Sequence, residues 1–398
     1  MELFRLYGEN AIDVIKEDPY KLCEKISGIG FRTADGIALE MGVDLYSRYR
    51  VCSGIRYILE RAAANGHTWL DYVELAVQTL RLLKIESAGM EDAISALLFD
   101  GIIFRERYGD STRIYLKTLY DAEKDVAESL LAHIGYKPGR LYGDIDSRLE
   151  KLQKREGIEL AELQKKAVKE ALSGCVLVII GGPGTGKTTI IRSIIKLLEQ
   201  DGLRFELAAP TGRAAKRLSE ATAHEARTIH RLLEIGYAED EREMTFQKIK
   251  SNPIDTDFII IDEMSMVDIV LMSHLMKAVR PGTRLVIVGD VNQLPSVGAG
   301  NVLKDIINSG LVKTVRLEEI FRQAQESMII VNAHRINKGE RPLLNSGGKD
   351  FYLVKRKSPE SITETVKDLC IRRLPEVYGY DPMKYIQVLA PSKKGVAG

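Results

Sequence analysis

Apolar residues in the first part of the chain recur at helical intervals, in short stretches. The stretches run from Leu6 to about Arg50 and are interrupted at Asp18-Pro19 and at the turn Gly28-Ile29-Gly30. Short helices joined by tight turns can pack together as a small unit. We therefore expect residues 1–50 to form an all-helical region.

The next part of the chain combines helical periodicity with a hairpin. Two β-rich runs, 101–105 and 112–116, flank the turn residues Gly109 and Asp110. Helices followed by a two-stranded hairpin are typical of a winged-helix shape, which we expect for residues 51–135. A further helix is predicted over 121–131, before a connection that contains Gly and Pro.

From Glu162 onward, short apolar runs alternate with helical stretches, which is the pattern of a parallel α/β sheet. A last apolar run follows a helical stretch around residues 361–373. We therefore predict an α/β fold for this part of the chain. The predicted strands are Val176–Ile180, Phe205–Ala209, Phe258–Ile261, Leu285–Val288 and Tyr385–Leu389.

Composition changes this picture little. Hydrophobic residues make up 45% of the chain and charged residues 28%, as in ordinary globular proteins. Lys and Arg number 57 against 56 Asp and Glu, so any contact with nucleic acid must come from local patches. The four cysteines lie far apart and fit neither a zinc site nor a disulfide framework, so we expect reduced thiols and a cytoplasmic protein. No apolar run approaches the roughly 18 residues of a membrane span, and we expect no membrane partner.

Residues 181–188, Gly-Gly-Pro-Gly-Thr-Gly-Lys-Thr, satisfy the phosphate-loop pattern between an apolar strand and a helical run. Glycines let backbone N–H groups curl around phosphates, and the helix that follows adds its positive end. Lys187 is expected to bridge the β- and γ-phosphates of ATP, and Thr188 to bind Mg²⁺. The alternative is a merely flexible glycine loop. The expected nucleotide contacts are Gly182, Pro183, Gly184, Thr185, Gly186, Lys187, Thr188 and Thr189.

Two adjacent carboxylates, Asp262 and Glu263, follow the buried run Phe258–Ile261. A bare Asp-Glu pair is usually surface charge, but the end of a parallel strand brings it to the edge of the sheet where nucleotides bind. We expect Asp262 to hold the magnesium shell. Glu263 is the candidate base that positions and deprotonates the attacking water.

A third strand end presents an amide. Leu285–Val288 is followed by Gly-Asp-Val-Asn-Gln-Leu-Pro, in which Gln293 is placed to sense a γ-phosphate. The alternative is a polar loop in which this glutamine is structural.

The order of these motifs resembles the RecD-like branch of superfamily 1 DNA helicases, related to the exodeoxyribonuclease V alpha subunit. The resemblance implies a RecA-like first motor domain over residues 136–340. It also implies that Gln164, in Leu163-Gln164, reads the adenine edge of ATP. Residues 209–215 and 226–233 are similar to motifs Ia and Ib, whose loops line the single-strand track in relatives. Thr211, Arg213, Thr228 and His230 are therefore candidate DNA contacts, although an isolated Thr or His is more often a cap or a core residue.

Two further segments extend the resemblance. Residues 317–323 are similar to motif IV, in which Arg322 would act as an arginine finger, the alternative being a surface ion pair. Residues 26–34 are similar to a helix-hairpin-helix turn. Gly28 and Gly30 would there free backbone N–H groups for a DNA phosphate, the alternative being a turn that only packs or docks a partner.

RecD-like proteins continue beyond the segment that matches residues 388–395, with motifs V and VI of a second motor domain. The resemblance therefore implies that residues 341–398 are the truncated start of that domain, in a piece of a longer protein. We expect this chain to bind Mg-ATP with little turnover and no unwinding. The resemblance implies that the full-length protein moves 5′ to 3′ on single-stranded DNA and at junctions with duplex, in DNA repair and recombination, alone or with exonuclease subunits.

Two other readings stay open. A DNA-binding or docking scaffold would use the nucleotide only as a regulatory signal, and DNA-stimulated hydrolysis distinguishes it from a motor. A P-loop small-molecule kinase needs an acceptor pocket and usually an arginine-rich lid, neither of which the sequence offers clearly.

Overall fold

The computed structural model describes residues 8–26, 29–86, 89–136, 139, 144–237, 244–319, 327–344, 350–390, 392 and 394–396. The chain divides into two compact units, Met1–Phe321 and Arg322–Gly398. Among the described residues, no helix is long and apolar enough to cross a membrane.

The first unit opens with seven described helices and a small antiparallel sheet. Strands β1 (Trp69–Asp71), β2 (Ile103–Tyr108) and β3 (Ser111–Leu116) pair in the order β1-β3-β2. The hairpin predicted around Gly109 and Asp110 is confirmed, and Gly109 takes the positive φ of +59° that the tight turn requires. The helices are α1 (Ala11–Glu17), α2 (Lys21–Lys25), α3 (Phe31–Glu40), α4 (Arg48–Ala64), α5 (Tyr72–Leu83), α6 (Met90–Phe99) and α7 (Lys117–Gly135).

Residues 8–116 form what we call the N-terminal module, because the predicted helical and winged-helix-like regions share one apolar core. Helix α4 runs across the predicted division at residue 50. Arg50, only 3% exposed, donates to both carboxylate oxygens of Asp35 at 2.7 and 2.9 Å. The hydroxyl of Tyr20 donates to the same carboxylate at 2.7 Å. The buried side chains of this core include Tyr20, Phe31, Ile55, Leu75, Ile94 and Ile114.

A six-stranded parallel sheet makes up most of the rest of the first unit. Its strands are β4 (Val176–Gly181), β5 (Phe205–Ala209), β6 (Ala226–Thr228), β9 (Phe258–Ile261), β10 (Arg284–Gly289) and β11 (Lys313–Leu317), while β7 (Ile235–Tyr237) and β8 (Met244–Phe246) pair separately. The order of the strands in the sheet is β11-β4-β10-β9-β5-β6. Helices cover both faces, and this is why strands such as β9 are buried at every position. The four strands predicted here are confirmed.

The helices around this sheet follow the predicted alternation. They are α8 (Ile145–Glu156), α9 (Glu162–Ser173), α10 (Lys187–Gln200), α11 (Gly212–Thr222), α12 (Ile229–Leu232), α13 (Ile269–Ala278) and α14 (Val302–Asn308). The parallel sheet flanked by helices confirms the predicted α/β fold class.

Helix α7 packs on the core of the parallel sheet, although it directly follows the hairpin of the N-terminal module. Its apolar face belongs to the core that contains Met272 and Leu275 of α13. Asp125 of α7 accepts bonds from Lys277 at 2.6 Å and from Ser273 at 3.3 Å. The buried residues on that face are Leu119, Ala122, Val126 and Leu130.

The second unit contains helices α15 (Met328–Asn337), α16 (Pro359–Asp368), α17 (Leu374–Tyr378) and α18 (Pro382–Tyr385), with a π-helical turn at Leu369–Arg373. The helical stretch predicted around 361–373 is confirmed. The strand predicted at Tyr385–Leu389 is wrong, because Tyr385 ends α18 and residues 386–390 have no regular structure. Asp381 caps a helical turn that Pro382 starts, and the described residues of this unit offer no strand for Leu389 to pair with.

Candidate functional site

The loop between β4 and α10 has the backbone that phosphate binding requires. Gly184 and Gly186 have φ values of +78° and +80°, which turn the chain back on itself at low steric cost. A Cβ at Gly181 would lie 2.5 Å from Oγ1 of Thr185, so no larger residue fits there. The loop then runs into the N-terminus of α10, where backbone N–H groups lack helical partners.

Lys187 and Thr185 connect the two sides of this loop. The ammonium of Lys187 donates to the carbonyls of Gly181 at 2.5 Å and Gly182 at 3.0 Å. Thr185 is buried and donates its hydroxyl to the carbonyl of Gly182 at 2.9 Å. Thr188 is exposed at the start of α10. The ammonium of Lys187 and the hydroxyl of Thr188 therefore lie on consecutive residues at the start of the helix that follows the loop.

Gln164 supports the loop from α9. Its side chain is 2% exposed, and its Nε2 donates to the carbonyl of Thr185 at 3.1 Å. Its Oε1 accepts the N–H of Ala161, also at 3.1 Å. The contact with adenine stays a prediction. The amide already has a structural partner at each end.

Asp262 and Glu263 follow β9, as predicted. The pKa of Asp262 is raised to about 6, chiefly by burial and in part by the neighbouring charge of Glu263, whereas the bond from the Glu263 N–H and the charge of Lys187 lower it. Oδ1 of Asp262 accepts the N–H of Glu263 at 2.9 Å. Glu263 has a φ of +56°, a left-handed conformation that is rare for this residue type. The chain therefore turns sharply at Glu263, two residues after the end of β9.

These groups converge because their strands are neighbours. Strand β10 lies between β4 and β9, with Gly289 beside Ile180 and Ile287 beside Ile261. Adjacent strands are about 4.8 Å apart, so the phosphate loop, the acidic pair and the loop after β10 meet at one edge. Gln293 is exposed in that last loop, and its backbone N–H donates to the carbonyl of Asp290 at 3.2 Å.

The donor set at this edge suits magnesium. Thr188 offers a hydroxyl and Asp262 a carboxylate, both hard oxygen ligands. No group of three or more His, Cys, Asp or Glu side chains arranged to hold a metal occurs among the described residues. Mg²⁺ usually binds only a few protein ligands and fills its other coordination positions with water and substrate phosphates.

The candidate DNA contacts lie at the ends of β5 and β6, which pair with Ala209 beside Thr228. Both threonines cap helices. Oγ1 of Thr211 accepts the N–H of Ala214 at 3.2 Å, and Oγ1 of Thr228 accepts that of Arg231 at 3.1 Å. The two hydroxyls thus act as helix caps in the structure, and their contact with DNA stays a prediction.

The other candidate contacts differ in exposure. Arg213 is exposed on α11, whereas the ring of His230 is half-buried, 6.4 Å from that of Phe246. Gly30 is exposed immediately before α3, and no described side chain caps that helix start. Gly28 and the arginine-finger candidate Arg322 lie outside the described residues.

Sequence reasoning missed the groups that hold the Gln293 loop in place. Asp290 is 3% exposed, and its Oδ1 accepts the N–H of Asn292 at 3.0 Å. At the far end, the hydroxyl of Ser296 donates to the carbonyl of Gly300 at 2.9 Å. The pair of glycines in Gly298-Ala299-Gly300 was the available signal, since closely spaced glycines indicate close backbone approach.

Comparisons with known proteins agree with this site. The sequence matches the family profile of the ATP-dependent RecD2 DNA helicase HHH domain over residues 1–69, and that of an AAA domain over residues 164–299. It is 32% identical over 404 residues to the ATP-dependent RecD2 DNA helicase of Deinococcus radiodurans, covering 98% of this chain and 53% of that protein. It is 36% identical over 279 residues to the RecBCD enzyme subunit RecD of Mycolicibacterium smegmatis, covering 64% of this chain and 48% of that protein.

Among solved structures, a crystal structure of Pif1 helicase from Candida albicans matches 46% of this chain and 45% of that one. The two are 27% identical with a TM-score of 0.36, too low to indicate a shared overall fold. The chain spans about half the length of the curated relatives it matches. The match to RecD2 along nearly the whole sequence, together with the RecD2-specific N-terminal profile, shows that the chain belongs to the RecD-like family of superfamily 1 helicases.

Proposed function

We propose that this chain carries the ATP-hydrolysing centre of a DNA helicase that moves 5′ to 3′ along single-stranded DNA. The observation that carries the proposal is the meeting of three strand ends, those of β4, β9 and β10. They bring a phosphate loop, an acidic pair and an exposed amide to one edge. Direction and translocation rest on the family resemblance.

The residues at this edge have separate tasks. The ammonium of Lys187 leaves its two carbonyl partners and binds the β- and γ-phosphates. Thr188 and Asp262 would hold Mg²⁺, whose positive charge would favour the ionised form of the Asp262 carboxylate. Glu263 orients and deprotonates the attacking water, and Gln293 senses the γ-phosphate. ATP and Mg²⁺ are the cofactors of the proposed reaction.

Two surfaces are proposed to contact the DNA. The loops after β5 and β6 would hold the single strand through Thr211, Arg213, Thr228 and His230. The turn before α3 would meet a phosphate of the duplex at a junction through the backbone around Gly30. Arg322 is proposed to complete the hydrolytic site.

Association with exonuclease subunits is the second part of the proposal. Relatives include proteins named as RecBCD enzyme subunit RecD. Another relative is named as a RecD2 DNA helicase, without reference to a complex. A role in DNA repair and recombination follows from either arrangement.

One observation favours the alternative of a nucleotide-sensing scaffold. Thr211 and Thr228 already serve as helix caps, so their hydroxyls have a purpose without DNA. A scaffold would bind ATP and DNA without coupling them. A motor couples the two events, and its hydrolysis responds to DNA.

The test is magnesium-dependent ATP hydrolysis by the longest available form of the protein, with and without single-stranded DNA. We expect DNA to stimulate hydrolysis, and Lys187→Ala to abolish it. Lys196→Ala is the matched control, because Lys196 lies on the same helix but pairs with Glu156. Hydrolysis that ignores DNA in the wild type would favour the scaffold. Displacement from substrates with only a 5′ or only a 3′ tail then tests the direction.

A further inference from the structure

The loop that carries Gln293, residues 290–300, is fixed at both ends, and residues 291–295 between them are exposed. Leu294 is 86% exposed. The loop begins at the buried Asp290, directly after the central strand β10, and the carbonyl of Asp290 accepts the N–H of Gln293 at 3.2 Å. The position of Gln293 is therefore set by this near end together with the far end of the loop.

The far end is held by close backbone approach. The N–H of Ile269, at the start of α13, donates to the carbonyl of Ala299 at 2.9 Å. A Cβ at Gly298 would lie 2.3 Å from Oδ2 of Asp268, which caps the same helix. Gly300 has a φ of +92°, and a Cβ there would lie 3.0 Å from the Cβ of Ile269. These contacts leave no room for a side chain at either glycine.

The last anchor of this loop comes from the N-terminal module. The N–H of Gly300 donates to the carbonyl of Gly66 at 3.0 Å, across more than two hundred residues of sequence. A Cβ at Gly300 would also lie 3.5 Å from Cγ2 of Thr68. The end of the loop thus contacts both α13 and the turn that leads into β1.

The carbonyl of Gly66 is itself held in place by the end of α4. The N–H groups of Asn65, Gly66 and His67 donate back to carbonyls of the last turn of α4, at 3.0 to 3.1 Å. Gly66 has a φ of +91°, the left-handed conformation typical of a helix C-terminal cap. The carbonyl that accepts the Gly300 N–H is therefore attached to the end of α4.

Helix α4 is joined at its other end to the turn proposed to meet DNA. Arg50 of α4 and Asp35 of α3 form a buried bidentate ion pair. Gly30 immediately precedes α3. A bidentate, buried pair is geometrically specific, so α3 and α4 move together. The route from Gly30 to Gly300 runs through two helices and two short polar contacts.

We propose that the N-terminal module positions the Gln293 loop through the Gly66–Gly300 hydrogen bond, so that DNA bound by the module sets the rate of ATP hydrolysis. Gly66 and Gly300 are positioning residues, and Gln293 is the group they position. The inference rests on the proposed function, because it concerns the coupling of DNA to the same hydrolytic site.

The test compares two glycines that both have a positive φ but have different neighbours. In the longest available form of the protein, Gly300→Ala places a methyl group against Ile269 and Thr68. We expect kcat of DNA-stimulated hydrolysis to fall about three- to thirtyfold, with KM for ATP within about twofold of wild type. The matched control is Gly310→Ala. Gly310 also has a positive φ, +68°, but a Cβ there would meet nothing within 4 Å.

Gly66→Ala approaches the same hydrogen bond from the other side. Its Cβ would meet nothing within 4 Å, so it strains the turn without a clash. We expect it to lower kcat in the same way. The double variant should lose less than the product of the two single effects, because both changes disturb one contact. If Gly300→Ala does not fold, Gly66→Ala carries the test.

Amide hydrogen exchange gives a readout that does not need activity. Exchange in residues 290–300 should rise in Gly66→Ala and Gly300→Ala, and stay at the wild-type rate in Gly310→Ala. Wild-type kcat in Gly300→Ala, or an equal loss in Gly310→Ala, overturns the inference. If the wild type shows no stimulation by DNA, the proposed function itself fails, and the hydrogen exchange result still decides whether Gly66 holds the loop.

Discussion

Asp262 and Glu263 are each held by the fold in an unfavourable state. Burial raises the pKa of the Asp262 carboxyl to about 6. Glu263 has the left-handed φ of +56°, which an L residue adopts at a cost of about 1–2 kcal/mol. Unfavourable states of this kind concentrate where geometry serves a reaction. The two carboxylates should therefore matter more for turnover than for stability.

Glu263 allows these two effects to be separated. Glu263→Gln keeps the side-chain shape and should abolish hydrolysis without changing nucleotide affinity. Glu263→Gly should be equally inactive but about 1 kcal/mol more stable than Glu263→Gln, because glycine adopts a positive φ without strain. Steady-state hydrolysis and thermal unfolding of both variants check this. DNA-stimulated turnover by Glu263→Gln would remove the residue from the role of base.

Local sequence patterns predict the residues of the candidate site better than they predict the residues that hold them in place. The phosphate loop, Asp262 and Glu263 are recognisable because each motif is contiguous in the chain. The partners of Gln164 and Gly300 are not predictable in that way. Gln164 bonds to Thr185, and Gly300 bonds to Gly66, from distant parts of the sequence.

At the scale of elements, α11 and α12 begin in the same manner. Each has a threonine at its N-cap. Thr211 lies two residues after the end of β5, and Thr228 is the last residue of β6, which pairs with β5. The cap satisfies a backbone N–H, and the helix N-terminus is positive, so each start both needs an acceptor and attracts an anion. A change to alanine would disturb both properties, and its effect on DNA binding would have two explanations.

Thr211→Asp separates capping from DNA contact. Aspartate caps a helix at least as well as threonine, so the unfolding temperature should hold, while its charge repels a phosphate. We expect weaker binding of single-stranded DNA at low salt, measured by fluorescence anisotropy. Ser358→Asp is the control, since Ser358 caps α16 through the N–H of Ser361 and lies in no predicted track motif. Unchanged affinity in Thr211→Asp would remove this loop from the track.

Helix α7 carries a partly buried carboxylate, Glu123. Burial raises the pKa of Glu123 above its ordinary value of 4.5, and the charge of Asp305 raises it further, while a bond from Thr68 lowers it. The side chain lines a cavity of about 430 Å³ together with Arg113. The folded state thus favours the protonated form.

The pH dependence of stability follows from the direction of that shift. A raised pKa stabilises the fold below the ordinary value, and the stabilisation is lost as pH rises through the folded-state value. Glu123→Gln removes the ionisation and keeps an acceptor for Thr68. We expect this variant to be more stable than wild type at pH 8 and equal to it at pH 4, by chemical denaturation. An equal difference at both pH values would contradict the assignment.

For the whole molecule, buried apolar runs were the dependable signal. Strands β4, β9 and β10 are buried at nearly every position, so their apolar pattern is strong. Leu389 is 83% exposed, and an apolar run at 385–389 was not enough to make a strand without neighbours. The shared core of the N-terminal module was not predictable, because nothing in a single sequence shows that Tyr20 and Ile114 pack in one cluster.

The packing of α7 on the parallel-sheet domain indicates where that domain can be separated from the N-terminal module. A deletion variant that starts at residue 117 keeps Val126 and Leu130 on the core and should stay monomeric and bind ATP. One that starts at residue 136 uncovers Met272 and Leu275 and should aggregate. Size-exclusion chromatography and nucleotide binding compare the two. A monomeric, ATP-binding protein from residue 136 would show that α7 is dispensable.

The position of α7 also bears on ancestry. Lys117 follows Leu116 of β3 without a linker, yet the helix buries its apolar face in the core of the parallel-sheet domain. An exchange of N-terminal modules between genes would preserve that domain only when the crossover left this helix in place. Viable recombination points should therefore cluster ahead of residue 117, and α7 should share its descent with the parallel-sheet domain and not with the hairpin that precedes it.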